Sequence, residues 1–296
     1  MTVLGVITLV FLLVRLIPGD PVEAILGEDA APEDRIAMRS ALLLDRPLLE
    51  QYTGFLGSVA DGTLGHSFRS RSTAVSVLIV EVIPPTGYLA FSALLLAWMI
   101  AIPLGIFAAS RHKTIYDRTT SILAIMGLAI PNIWLGPLLI LLFGVTLRWL
   151  PLPGDYDDQI SSLILPSLTV GTALAASLFR HTRSMMLEVL GRQYILAAKA
   201  RGLPVVRVWF KHALRNALLP IMTIAAAQLG ALLSGTVIAE KIFERPGLGT
   251  LFLEAFFARD IPVIQGCVLV VAFIYVFMNL AVDLLYGYID PRVRLS

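Results

Sequence analysis

Six stretches of this chain are apolar over lengths that water does not favour: roughly Val3 to Ile17, Gly87 to Ala109, Ser121 to Leu147, Ile164 to Leu187, Leu218 to Ile238 and Val268 to Gly287. A helix rises about 1.5 Å per residue, so roughly 20 apolar residues cross a hydrocarbon core of ~30 Å. Inside that core every backbone N–H and C=O must be satisfied within the protein, which leaves helices as the structure for segments of this length. Composition agrees: 57% of residues are hydrophobic, 15% are charged and mean hydropathy is +0.81, so the apolar material makes spans rather than one large soluble core. The expected fold is an all-α polytopic membrane protein with six transmembrane helices.

Charge decides which way such a chain faces, because cytoplasmic loops carry the excess of Lys and Arg. With alternate loops on opposite sides, one side holds Arg111, Lys113, Arg118, Arg180, Arg183, Arg192, Lys199, Arg201, Arg207, Lys211, Arg215, Arg292 and Arg294, against Asp117, Glu188 and Asp290. That side is expected to be cytoplasmic, together with both termini. The opposite side holds the acidic run from Asp20 to Glu81, then Asp155, Asp157 and Asp158, then Glu240, Glu244, Glu254 and Asp260. The first stretch opens without a basic flank and has no small-residue cleavage site before Pro18, which argues against a cleaved signal peptide. Arg15, at its outer end, reads as a snorkelling lipid anchor.

Three parts are expected: a first transmembrane helix over residues 1–17, an extracytoplasmic helical segment over 18–86, and a five-helix core over 87–296. That core includes a cytoplasmic loop at 188–217 and an outer loop at 239–266. In the extracytoplasmic segment, Pro32 followed by Glu33 and Asp34 predicts a helix start, and a second helix is expected after Pro47. The segment reads as a lid or docking surface rather than a domain with its own core.

Several chemistries are excluded by missing patterns. No G-x-x-x-x-G-K-[ST] run is present, so the chain has no P-loop for nucleotide phosphates. His66, His112, His181 and His212 are scattered, no H-E-x-x-H occurs and no serine sits in a G-x-S-x-G setting, which disfavours a membrane hydrolase. Cys267 stands alone in an apolar stretch, so neither an internal disulfide nor a cysteine metal site is available. A net charge of +2 gives no reason to expect nucleic acid. Pro246 to Gly249 reads as a turn rather than a dinucleotide fingerprint.

The loop from Leu190 to Pro220 reads LGRQYILAAKARGLPVVRVWFKHALRNALLP. Ile195, Ala198 and Arg201 recur at a spacing of three, and Gly202 before Pro204 is placed as the left-handed residue that ends a short helix. Small side chains on this helix let another protein's backbone approach closely. Lys199, Arg201, Arg207 and Lys211 equally suit an interfacial helix on anionic headgroups, and the residues alone weigh the two readings evenly.

Resemblance separates them. The loop resembles the EAA loop of ABC importer permeases, matching it at Ala197, Ala198, Gly202 and Leu214 and departing from it at Leu196, His212 and Arg215. Its Y-I-x-x-A-x-A-x-G-L and H-A-L-R-N-A-L-L-P forms look like the peptide branch. Further blocks are similar to the first membrane subunit of dipeptide, oligopeptide and nickel importers: Leu16 to Pro21, Asp45 to Tyr52, Leu64 to Phe68, Pro103 to Gly105 with Asp117 and Arg118, Glu240 to Gly249, Arg259 to Gly266, and Asn279, Asp283, Tyr286 and Asp290 to Arg292.

The resemblance implies the type I ABC importer permease fold, a bacterial inner-membrane location and import of di- or oligopeptides. Nickel chelates, glutathione and haem are alternative cargoes for the same machinery. Implied partners are a second homologous permease subunit, two cytoplasmic nucleotide-binding subunits, an extracytoplasmic substrate-binding protein and membrane lipid. The chain itself holds no cofactor and is no enzyme, since Mg-ATP belongs to the ATPase subunits. Tyr194, Ile195, Ala197, Ala198, Arg201, Gly202 and Leu203 become the expected ATPase-coupling residues.

Polar groups within the spans carry two readings each. Pro131 and Asn132 read as a kink at a gate or as packing, Gln228 and Ser234 as pore lining or as helix–helix hydrogen bonding, and Asn279 with Asp283 as path lining or as a strut. Glu240, Phe243, Pro246, Gly247, Arg259 and Asp260 form an outer block read as a docking surface that also seals a gate. A secondary transporter needs a chain of carboxylates within the spans, and only Asp283 is on offer. A channel is the remaining rival, separated from the importer by whether the assembled complex hydrolyses ATP.

Overall fold

The computed structural model describes residues 2–289 apart from 17, 18, 28, 71, 72 and 157. Among them there is no strand. The helices are α1 (Thr2–Val14), α2 (Pro21–Leu26), α3 (Pro32–Ala41), α4 (Leu48–Ala60), α5 (Val75–Ser110), α6 (Ile115–Ala129), α7 (Asn132–Leu139), α8 (Ser161–Leu190), α9 (Gln193–Ala200), α10 (Val205–Arg207), α11 (Arg215–Ile242), α12 (Leu248–Phe257) and α13 (Ile261–Ile289). Two π-helical stretches, Ile140–Thr146 and Val208–Leu214, continue α7 and α10.

Three of these helices are long and apolar enough to cross a membrane on their own: Val75–Ser110, Ser161–Leu190 and α13 over Ile261–Ala281. The predicted Ser121–Leu147 span is broken, because α6 and the α7 run meet at an angle of 101°. The cause is Pro131. It forces Ile130 into extended backbone at φ −86°, ψ 113°, which ends α6, and its own ψ of 142° starts α7 in a new direction. A bend of this size goes well beyond the kink expected from the sequence.

α5 begins twelve residues before the predicted span and runs helical through Pro84 and Pro85. At 36 residues it is about 54 Å long, well over the ~30 Å of a hydrocarbon core. The extracytoplasmic segment expected over 18–86 therefore ends inside a helix. α3 and α4 start at Pro32 and after Pro47 as the proline and acidic signals require.

The chain divides into two compact units, residues 1–86 with 246–274, and residues 87–245 with 275–296. In the first unit α3 buries no residue and α4 buries only Phe55, so the core comes from elsewhere. Val10, Val14, Val75, Ile79, Leu248, Val263, Ile264 and Cys267, from α1, α5, α12 and α13, make one apolar cluster. Phe11 makes a second contact layer against Tyr52 and Phe55, with ring centroids 5.0 and 5.8 Å away. Arg15 serves that joint rather than lipid. Its guanidinium donates to Gln51 Oε1 at 2.6 Å and to the Phe11 carbonyl at 3.0 Å, and lies 3.4 Å from the Phe11 ring centre.

In the second unit α8 is the central helix, and it buries residues along most of its length. Small residues let neighbours come close, as membrane packing requires. A β-carbon on Gly171 would stand 3.0 Å from the Ala93 carbonyl of α5, and one on Gly105 would stand 2.7 Å from Thr182 Cβ. Ser92 and Ser167 hydrogen-bond across the same pair of helices at 2.6 Å.

Candidate functional site

The basic loop leaves α8 at Leu190, turns at Gly191 and Arg192 and enters α9. Arg192 is extended at φ −71°, ψ 147°, and its carbonyl accepts the N–H groups of Ile195 and Leu196 at 3.1 and 3.3 Å. Ile195 is completely buried in the apolar cluster of the second unit, and half-buried Ala198 and Leu203 pack on the same cluster. Gln193, Tyr194, Leu196, Ala197, Ala200 and Arg201 are exposed. Gly202 takes φ +74°, and its N–H donates to the Lys199 carbonyl at 2.9 Å, closing the helix as its spacing predicted.

The residues expected to couple thus fall into two groups that spacing alone did not separate. Tyr194, Ala197, Arg201 and Gly202 face outward, while Ile195, Ala198 and Leu203 hold the helix to its own bundle. Beyond Pro204 the exposed face continues with Val205, Val206, Arg207, Phe210 and Lys211, while Val208 and Ala213 are buried. Exposed cations and apolar side chains therefore share one surface. The exposed Arg192–Glu188 pair at 2.5 Å adds little stability of its own.

The intramembrane candidates are dispersed. Gln228 is buried and its amide nitrogen donates to the Leu174 carbonyl at 3.2 Å, a helix–helix hydrogen bond between α11 and α8. Asn132 is half-buried and close to α11, with its Nδ2 at 3.7 Å from where a β-carbon on Gly235 would stand. Pro131 and Asn279 are exposed. The side chains of Ser234 and Asp283 lie outside the described residues, as do Asp290, Pro291 and Arg292.

The outer block is largely interior. In the first unit Asp260 is buried, and it accepts Ser67 Oγ at 2.5 Å and the Phe68 N–H at 3.0 Å. Gly19, at φ +112°, leaves the room that the Arg259 guanidinium occupies, and a β-carbon there would overlap it. Asp20 caps α2 through the Val22 N–H at 3.0 Å and pairs with Arg39. Gly247 is buried at the start of α12, where the N–H of Leu248 donates to Thr86 Oγ1 at 2.8 Å, and Pro246 is exposed. Beside this lock an open groove of about 1070 Å³ is lined by Ile25, Met38, Phe68, Arg69, Glu254 and Phe257.

In the second unit Glu240 and Phe243 are buried. Tyr156 donates its hydroxyl to the Phe243 carbonyl at 3.0 Å, and Arg245 donates to Ser162 Oγ at 3.0 Å with its guanidinium 5.1 Å from the Tyr156 ring centre. Burial pushes the Tyr156 phenol up and pulls the Arg245 guanidinium down, with the phenol and Glu240 opposing the second shift.

One node had no signal beyond its place in a sequence block. Asp117, in the first turn of α6, is only 4% exposed and takes a two-pronged hydrogen bond from Arg183 of α8, Nε to Oδ1 at 2.6 Å and Nη2 to Oδ2 at 2.8 Å. Pairs of this geometry are among the stronger polar contacts in proteins. The Lys113 N–H adds a third bond at 3.0 Å, and His112 Nδ1 lies 3.3 Å from Oδ2. Among the described residues no group of three or more His, Cys, Asp or Glu is arranged to hold a metal.

Comparison with known proteins adds the following. Residues 101–295 match the family described as binding-protein-dependent transport system inner membrane component. A di/tripeptide transport system permease protein of Pseudomonas aeruginosa is 38% identical over 320 residues, covering 99% of this chain and 95% of the relative. An oligopeptide transport system permease protein of Bacillus subtilis is 39% identical, covering 98% and 95%. A glutathione transport system permease protein of Salmonella choleraesuis is 40% identical, covering 99% and 95%. A solved chain of the MetNI methionine ABC transporter has the same fold, with a TM-score of 0.61 at 18% identity over 72% of this chain and 96% of that one.

Proposed function

The chain belongs to the binding-protein-dependent transport system inner membrane components, and from that membership we propose that it is the membrane-spanning permease subunit of an ATP-driven importer of short peptides. The observation that carries the reading is the near full-length similarity to di/tripeptide and oligopeptide permeases. The glutathione permease among the relatives fits the same class, because glutathione is itself a small peptide.

In this reading the chain contributes a path and a lever but no hydrolytic chemistry. Two nucleotide-binding subunits hold Mg-ATP on the basic, cytoplasmic side, a second permease chain completes the pore, and an extracytoplasmic binding protein delivers cargo. Six spans with both termini cytoplasmic follow the positive-inside bias. α9 is the coupling helix. Ile195, Ala198 and Leu203 fix it to the bundle, and Tyr194, Ala197, Arg201 and Gly202 meet the ATPase, so closure of the ATPase subunits displaces α8 and α11.

On the opposite side, Glu240, Phe243, Gly247, Arg259 and Asp260 hold the outer loops in shape, and the groove at Phe257 and Arg69 receives the binding protein. Pro131, Asn132, Ser234, Asn279 and Asp283 are proposed to border the path, with Gln228 holding α8 to α11.

The test is reconstitution with the partner subunits in proteoliposomes and measurement of labelled dipeptide uptake and ATP hydrolysis. Ala197→Trp places a large side chain on the exposed face of α9 and is expected to abolish ATP-driven uptake. Uptake unchanged by Ala197→Trp and Tyr194→Ala together would overturn the coupling role. Competition by tripeptides but not by haem or a nickel chelate is the expected cargo profile.

A further inference from the structure

The Asp117–Arg183 pair stands where α5 ends and α6 begins, two turns before the end of α8, and its geometry does more than balance a charge. Asp117 is tied to α8 by two hydrogen bonds from Arg183 and to the 111–114 turn by the Lys113 N–H, within a turn that holds Lys113 at φ +66°. One residue earlier on α8, Thr182 is fully buried and fills the space that Gly105 of α5 leaves open. A polar fork and a close packing contact, from adjacent residues of α8, therefore grip both arms of the α5–α6 hairpin. From Arg183 the same helix continues for two turns, about 10 Å, to the point where it hands over to α9.

We propose that Asp117 and Arg183 form a positioning strut that carries displacement of α9 into the α5–α6 hairpin, so that the hairpin moves with the end of α8. This rests on the reading of α9 as the coupling helix. The fork fixes direction as well as distance, because two parallel N–H groups of Arg183 meet the two oxygens of Asp117. An ion pair with one buried member that served stability alone would be replaceable by a neutral, well-packed pair at little cost. A strut would not.

Asp117→Asn and Arg183→Lys are to be compared with the exchange Asp117→Arg plus Arg183→Asp in the reconstituted complex, reading peptide imported per ATP hydrolysed. Each single change is expected to leave ATP hydrolysis near the unmodified rate and to lower uptake per ATP about tenfold, within the usual range of coupling between sites. The exchange is expected to recover much of that ratio. An unmodified ratio in Asp117→Asn, while Ala197→Trp still blocks uptake, overturns the strut and leaves the coupling helix standing. Loss of neither refutes the coupling helix itself.

Should the single changes fail to assemble, spin labels at Arg111→Cys and Glu188→Cys in otherwise unmodified protein decide. Their separation is expected to stay constant between the resting and the ATP-trapped complex. A change of about one helical turn, ~5 Å, shows that hairpin and α8 move apart and rules the strut out.

Discussion

The lock around Asp260 and the face of α9 are both built from family-like sequence blocks, yet they are physical opposites. Asp260 is buried and satisfied by partners far along the same chain, such as Ser67 at 2.5 Å. On α9 the outward residues Tyr194, Ala197 and Arg201 are exposed. Side chains that find their partners inside the fold maintain shape, and side chains left facing out are available to another protein. The sequence patterns look equally specific in the two places, so burial rather than pattern tells the two roles apart.

Four substitutions test that contrast, the most destabilising first. Asp260→Ala is expected to cost about 3 kcal/mol, because it removes the acceptor for a buried hydroxyl and a loop N–H. Its signature is a lower melting midpoint in detergent, and an unshifted midpoint would show that the 64–70 loop holds itself. Ile195→Ala is expected to cost about 2 kcal/mol through the cavity it leaves under α9, lowering both the melting midpoint and uptake.

Gly202→Ala is expected to cost about 1 kcal/mol, since its φ of +74° lies where a β-carbon is strained although nothing crowds the site. Ala197→Trp is expected to move the midpoint by less than about 0.5 kcal/mol equivalent and yet to stop uptake. Should Ala197→Trp unfold the protein, or Ile195→Ala leave it as stable as before, the division of α9 into anchor and surface fails.

Much of the scaffold was legible in the sequence because its signals are local. Pro32 with Glu33 and Asp34 announced α3, Pro47 announced α4, and Gly202 announced the end of α9. The errors arose where a local rule met a non-local one. The segment expected to end at residue 86 has no boundary there, since α5 starts at Val75 and continues through Pro84 and Pro85. Pro131 read as a kink, but the chain turns by 101° there. Ser67 and Asp260 are 193 residues apart and Asp117 and Arg183 are 66 apart, and pairing across such distances leaves no periodicity to detect. Arg15 illustrates the same limit, since its place suggested lipid and its partner is Gln51.

The attachment of α9 has an evolutionary consequence. One fully buried side chain, Ile195, holds the helix from the side away from its exposed face, and a left-handed glycine ends it. Replacement of exposed Tyr194, Ala197 or Arg201 therefore leaves the bundle intact, so under the proposed coupling role a lineage can retune this subunit to a different motor without rebuilding the membrane core. With α9 as the proposed coupling helix, those same positions are where fidelity of pairing between a permease and its own ATPase would be written.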